Sequence, residues 1–221
     1  MARKPASLSV NREAILLAAA DVLRQNGYES TTMKDIAARV NLTAASLYHH
    51  FKNKDFLLLE VLQLGLDHAI QQIEPIAQSS LPARDKLARM ITTHIVEVTN
   101  NTAVGAAMVF EIRALMSVRT VGGQLQPEDA ERFIAERDRF FQQRDAFEKL
   151  FRNTIREGIE RGEFRPVDAS IVAKAMLGAQ NWVGVWYRET GRLTGEDIAR
   201  IIADTFLYSL TVGEPSVSQA R

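Results

Sequence analysis

The chain has no cysteine, which excludes a disulfide framework, thiolate metal sites, iron–sulfur clusters and a cysteine nucleophile. It also lacks any stretch near the roughly 20 apolar residues that a membrane span needs. Its first residues, MARKPASLSVNRE, are basic with no apolar segment behind them, so neither a secretory signal nor a membrane partner is expected, and the cytoplasm is the predicted location. G-x-S-x-G, the P-loop, G-x-G-x-x-G and H-E-x-x-H are absent as well. His94 and Glu97 stand three apart, but the helical di-metal motif runs Glu-x-x-His and is repeated. One reversed pair predicts no metal, and the sequence predicts no cofactor and no enzyme.

Net charge is the last thing missing, with 27 basic against 27 acidic residues. As a sum this argues against a nucleic-acid partner, but the distribution is uneven. Residues 1–54 hold Arg3, Lys4, Arg12, Arg24, Lys34, Arg39, Lys52 and Lys54 against Glu13, Asp21, Glu29 and Asp35, a net of +4, which leaves −4 for the remainder. Such asymmetry points to a nucleic-acid-facing part or to a solvated basic face. What is present is otherwise ordinary: 221 residues, 46% hydrophobic and 24% charged, enough for a sizeable core.

Periodicity near 3.6 dominates and alternating strand runs are absent, so the fold class is all-α. A first helix is predicted from an Asn11 cap to Asn26, stopped by Gly27. Thr32 caps a short helix, Met33 to Val40. Asn41-Leu42-Thr43 makes a turn, and a second short helix runs from Ala44 to about Phe51. A longer helix, Phe56 to Ile73, closes at Pro75. Further helices are predicted over Arg84 to Asn100, Thr102 to about Val118, Pro127 to Arg161, Val167 to Glu189 and Glu196 to Leu210, with a loop at Gly122-Gly123. The divisions expected are 1–54, 55–212 and a polar tail, 213–221.

Two short helices joined by a tight turn behind a longer helix make a helix-turn-helix. The second needs an apolar back, supplied by Leu47 and Phe51 four residues apart, and a short front for close approach to a major groove, supplied by Ala44, Ala45 and Ser46. Thr32 and Thr43 place hydroxyls and amides at two helix N-termini that favour an anion. Tyr48 and Lys54 join them as candidate phosphate contacts, and Lys52 adds charge. Ala44, Ala45 and His49 are candidates for base edges, whereas His50 is expected to pack or cap.

The run TTMKDIAARVNLTAASLYHHFKNKDFLL, Thr31 to Leu58, resembles the N-terminal domain of TetR/AcrR-family transcriptional regulators. The matches are Thr32, Ile36, Ala37, Leu47, Tyr48, His50, Phe51 and Lys54, with Ala14-Ile15-Leu16, Ala18-Ala19 and Gly27-Tyr28 upstream. The resemblance implies a three-helix DNA-binding domain, a larger helical domain for ligand binding and dimerisation, and about nine helices in all. Glu157 to Leu210 is similar to a branch that includes regulators of lipid and sterol degradation, through Gly162-x-Phe164-x-x-Val167-Asp168, Trp186-Tyr187-Arg188 and Gly191-Arg192-Leu193.

The last two helices carry wide apolar stripes, with Gly178 and Gly184 permitting close approach. As an antiparallel pair they would form a four-helix bundle across a two-fold axis, and Ile171, Ala175, Ala179, Trp186, Ile198, Ile202 and Phe206 are the dimerisation candidates. In the central helices, His94, Met108, Arg113, Phe140, Asn181 and Trp182 are candidates for a mostly apolar pocket, with Arg113 and His94 facing a ligand's polar end. The expected function is repression from a near-palindromic double-stranded operator, read by a homodimer with heads about 34 Å apart. A small hydrophobic effector such as an acyl-CoA or a steroid-derived acid would release it. An activator, a regulator whose ligand promotes binding, and a helical lipid carrier without DNA binding are the alternatives.

Overall fold

The computed structural model describes residues 11–117 and 126–211. The Gly122-Gly123 loop, Arg3, Lys4 and the polar tail 213–221 lie outside the described residues. Ten helices follow one another: α1 (Arg12–Ser30), α2 (Met33–Arg39), α3 (Ala44–His50), α4 (Lys54–Ala77), α5 (Ala83–Asn100), α6 (Thr102–Phe110), α7 (Ile112–Ser117), α8 (Pro127–Glu160), α9 (Ala169–Trp186) and α10 (Gly195–Leu210). Among the described residues there is no strand.

Caps set most of the boundaries. The Asn11 side chain accepts from Glu13 N at 3.3 Å, and Gly27 interrupts α1 with φ 73° and ψ 163°, a conformation glycine adopts without a Cβ clash. Thr32 and Asp35 form a capping box on α2, and Thr194 and Asp197 form another on α10. The turn between α2 and α3 holds Asn41 at φ 56°, the left-handed region that asparagine tolerates. Asn53 accepts from Phe56 N at 3.0 Å to start α4, and Asp168 caps α9.

Two helix boundaries need correction. The predicted helix from Thr102 to Val118 breaks at Glu111 into α6 and α7, which accounts for the additional helix. And α4 does not close at Pro75 but continues through it to Ala77. Proline removes only the bond to the carbonyl four residues back. That residue, Gln71, is exposed, so the missing bond falls on the outer side of the helix.

Ile15, Ala19 and Leu23 of α1, Ile36 of α2, Leu47 of α3 and Leu57 and Leu58 of α4 form the core of the N-terminal unit. In the larger unit α5 is central, packed by α4, α8, α9 and α10. The last two helices do not lie along each other as expected: α10 packs on α5, and α9 on α6, α8 and α5. Ile198 therefore sits with Ala199, Ala203 and Leu207 on the buried side of α10, and is core instead of interface.

At the crossing of α6 and α9, a Cβ on Gly184 would lie 3.1 Å from the Gly105 backbone. Gly178 was expected to serve the same purpose, yet it is exposed and a Cβ there would meet nothing within 4 Å. Gly184→Val is expected to cost about 1–3 kcal/mol through overpacking. Gly178→Ala should be neutral or gain up to about 1 kcal/mol of helix propensity. Urea unfolding of both variants at one fixed protein concentration checks the contrast.

Candidate nucleic-acid interface and ligand cavity

Helix α3 turns Leu47 fully into the core and leaves Ala45, Tyr48, His49 and His50 exposed, with Tyr48 54% accessible. Ala44 and Ser46 are half-buried at its start. The Thr43 hydroxyl accepts from Ser46 N at 3.0 Å and lies 2.9 Å from Ser46 Oγ, so both hydroxyls serve the cap. A short helix with a small, open N-terminal half and an aromatic and imidazole edge is thereby held on the surface.

The cations around it are more committed than the sequence suggests. Lys54 Nζ donates to Tyr28 O at 2.7 Å and sits 4.2 Å from the centre of the Tyr28 ring, closing the end of α1 instead of reaching into solvent. Thr32 is not free either: its hydroxyl donates to Asp35 at 2.7 Å and its amide to the same carboxylate at 2.8 Å, so an anion already occupies that helix start. These hydrogen bonds hold the Asp35 carboxyl below its usual range. Lys52 pairs at 2.9 Å with Asp129 in the first turn of α8.

Two basic residues went unassigned in the sequence. Arg12 holds both oxygens of Glu60, donates to His50 O at 2.8 Å and lies 4.4 Å from the centre of the Phe51 ring, so it ties the end of α3 to α1 and α4. Lys34, in the first turn of α2, is exposed and has no ion pair among the described residues. Its position at the start of the first short helix was the available signal, since that helix crosses the DNA backbone in this motif.

A cavity of about 380 Å³ opens between α4, α5, α6, α8 and α9. Its apolar wall includes Leu66, Ala69, Val98, Val104, Phe147 and Leu177, with Gly65 and Gly105 also on the lining. Of the six ligand candidates, His94, Met108 and Asn181 line it. Phe140 does not: it is fully buried in the core, edge-on to Phe141 at 5.3 Å, and presents no surface to a ligand. Trp182, about 100° around the helix from Asn181, faces outward and stacks edge-on with Phe110 at 6.0 Å. Arg113 lies beyond the Glu111 break, exposed on α7 and away from the cavity. The cationic residues that do line it are Arg144 and Lys174, both exposed. Lys174 is paired with Glu148 at 2.6 Å, whereas Arg144 has no ion pair among the described residues. Their membership was hidden because, on a charged helical face, nothing in the spacing distinguishes a cavity edge from ordinary solvent.

His94 is the buried polar group of this cavity. Its Nδ1 lies 3.0 Å from Gln180 Oε1, and its ring packs edge-on against Phe147 at 5.4 Å. Burial pushes the imidazole down to about 4, so it is neutral at physiological pH.

On the outer surface, Ile171, Ala175, Trp182 and Trp186 make an exposed apolar stripe along α9, and Ile201 and Tyr208 are exposed on α10. Ala179, Ile202 and Phe206 are partly buried.

Helix-turn-helix geometry joined to a helical unit with a ligand-sized cavity defines a ligand-sensing regulator, and comparisons place it more closely. Residues 15–61 match the bacterial regulatory proteins of the tetR family, and residues 80–210 match the tetracyclin repressor-like C-terminal domain. The chain belongs to the TetR family of transcriptional regulators. It is 29% identical over 202 residues to the HTH-type transcriptional repressor KstR2 of Mycobacterium tuberculosis, covering 90% of this chain and 92% of that protein. The structure is similar to that of the TetR family regulator PfmR from Thermus thermophilus, with 31% identity, a TM-score of 0.68 and coverage of 90% and 98%. It is also similar to AibR in complex with isovaleryl coenzyme A and operator DNA, with 27% identity, a TM-score of 0.68 and coverage of 87% and 96%.

The two lysines separate by their contacts. Lys34→Ala is expected to weaken operator binding and lower the slope of log affinity against log salt by about one. Lys54→Ala should instead lower the melting temperature and leave that slope unchanged. Fluorescence anisotropy at four salt concentrations, beside a thermal melt, reads both.

Proposed function

We propose that the protein is a dimeric transcriptional repressor, released from its operator when the cavity takes up a hydrophobic acyl group whose anionic remainder stays at the mouth. The cavity carries this reading: a space of about 380 Å³ with apolar walls, on whose lining Arg144 and Lys174 stand beside Asp145 and Glu148. That volume falls within the range of small-molecule sites, roughly 300–1,000 Å³. It suits an acyl chain or a small ring but not a whole coenzyme A, whose phosphates would lie outside beside the two cations. The AibR complex, which pairs isovaleryl coenzyme A with operator DNA, supports an acyl-CoA as the ligand class, and the similarity to KstR2 supports repression.

In this reading residues 1–54 are the DNA-reading unit and 55–212 the sensing and dimerising unit, the boundary falling at the Asn53 cap of α4. Ala45 and His49 face the groove, Tyr48, Thr43 and Lys34 the phosphates. The protein acts as a regulator and not as an enzyme, in the cytoplasm where the chromosome is. Two chains associate through the exposed stripe of α9 with Ile202 and Phe206 of α10, since large apolar patches on a surface mark association sites. Replacing Ile171→Asp and Trp186→Glu together should halve the mass seen in sedimentation and lower operator affinity by about 10²-fold or more, because the second head is lost.

The operator can be recovered by selecting bound fragments from sheared genomic DNA. Anisotropy on that fragment should then show release by isovaleryl-CoA or longer acyl-CoAs and none by free coenzyme A. Arg144→Ala and Lys174→Ala should each raise the acyl-CoA concentration required by about tenfold, the loss expected for one charge-assisted hydrogen bond. Release by free coenzyme A, or by no acyl-CoA, overturns the ligand class.

A further inference from the structure

The hydrogen bonds around His94 fix which of its ring nitrogens carries the proton. Gln180 Nε2 donates to Met176 O at 3.2 Å, so the amide presents its oxygen, an acceptor, to His94 Nδ1 at 3.0 Å. Nδ1 is therefore the protonated nitrogen, and Nε2 is left with a lone pair only. Gln180 is fully buried and His94 is 6% exposed, which makes this a fixed arrangement and not one of several surface rotamers. Nε2 has no hydrogen-bond partner among the described residues, yet it is not one of the buried polar atoms closed off without one. The void it meets is the cavity that His94 lines.

A neutral acceptor set in an apolar wall discriminates by what it lacks. It gains nothing from a carboxylate or a carbonyl, both acceptors themselves, and it stays unmatched against plain hydrocarbon. Only a donor satisfies it. Among groups compatible with an apolar cavity, a hydroxyl is the donor of lowest desolvation cost. Asn181, which lines the same cavity and makes no side-chain hydrogen bond among the described residues, offers a second polar contact for the hydroxyl oxygen.

We infer that the buried part of the ligand carries a hydroxyl, donated to Nε2 of His94, so that the protein distinguishes a hydroxylated acyl or alicyclic group from its plain hydrocarbon counterpart. This rests on the cavity being the ligand site, as proposed above, but not on the ligand being a coenzyme A ester. The ligand class is a hydroxyacyl or hydroxylated-ring compound, a product of hydration or of oxygen insertion on a hydrocarbon skeleton.

The test uses small probes that fit the cavity and carry no coenzyme A. The full-length dimer, with its histidines ¹⁵N-labelled, is titrated with cyclohexanol and, separately, with methylcyclohexane. Cyclohexanol should bind about tenfold more tightly, the discrimination expected of one neutral hydrogen bond. It should also move the unprotonated ring-nitrogen signal of His94 upfield, a shift that methylcyclohexane does not produce. His94→Phe should lose that preference and favour methylcyclohexane, because the buried hydroxyl then has no partner. The spectroscopic readout needs no variant, so it decides the matter even if His94→Phe folds poorly. Equal affinity for the two probes, a preference that survives in His94→Phe, an unmoved His94 signal at saturation, or no binding of either probe overturns the inference. A protein that releases operator with acyl-CoA yet shows no alcohol preference keeps its proposed function and loses this one. One that prefers the alcohol yet ignores every acyl-CoA does the reverse.

Discussion

Helix α4 is the element on which both halves depend. Its first turn is bound to the reading unit: the Asn53 cap, Lys54 on the Tyr28 carbonyl and ring, and the Tyr28 hydroxyl on Asp55. Burial and that carboxylate push the Tyr28 phenol well above its ordinary value, so it remains a donor. The next two turns, Phe56 to Leu62, are almost wholly buried apart from Glu60. The turns after that supply Gly65, Leu66 and Ala69 to the cavity. About eleven residues of helix, about 16 Å, thus separate the cavity wall from the base of the DNA-binding unit. Because protein interiors are close-packed and transmit strain, a ligand taken up as proposed above would act directly on this rod.

The units also meet where α1 packs on α6, and two polar contacts of different strength lie at the edges of that junction. Glu111, at the break between α6 and α7, is buried with its carboxylate against the Tyr28 backbone N–H, and burial raises its pKa. The Lys52–Asp129 pair bridges to α8, but the Lys52 side chain is 58% exposed, and exposed pairs contribute only about 0–1 kcal/mol. A ligand can move an equilibrium between two arrangements of the units only by its difference in affinity for them, so it must act on the packing of α1 and α4 as well as on the exposed pair.

The motif was legible in the sequence because its residues carry strong local constraints. Gly27, Thr32, Asn41 and Thr43 are caps or turns whose chemistry is confined to a few positions, and the fold places each where the spacing indicated. Helix ends without such signals were misplaced, as at Glu111 and Pro75. The cavity was legible only in part. His94 and Asn181 stood out as polar residues in apolar surroundings, but Phe140, Trp182 and Arg113 were chosen by type, and type does not say which way a side chain faces once helices pack. Arg144 and Lys174 come from two helices, α8 and α9, that pack against each other, a juxtaposition that periodicity within one helix cannot reveal. The same limit explains the misplaced pairing of α9 with α10: two apolar stripes adjacent in sequence need not face each other when α5 lies between them in the core.

The positive segment also means something different once its contacts are known. Among the described residues Arg12, Lys52 and Lys54 are held by the protein, and Arg24 and Arg39 both lie near Asp21, at 3.6 and 3.8 Å. Counterion release, which scales with the number of phosphates neutralised, is therefore a modest source of affinity for one head. The remainder must come from placing two heads in successive grooves at once, and the gain from the second head depends on how well their separation matches the DNA. Few free cations thus make binding sensitive to spacing. In the reading proposed above, what the cavity holds would set that spacing through α4, the helix that walls the cavity and seats the reading unit, so the economy of charge and the route of control would be one design constraint.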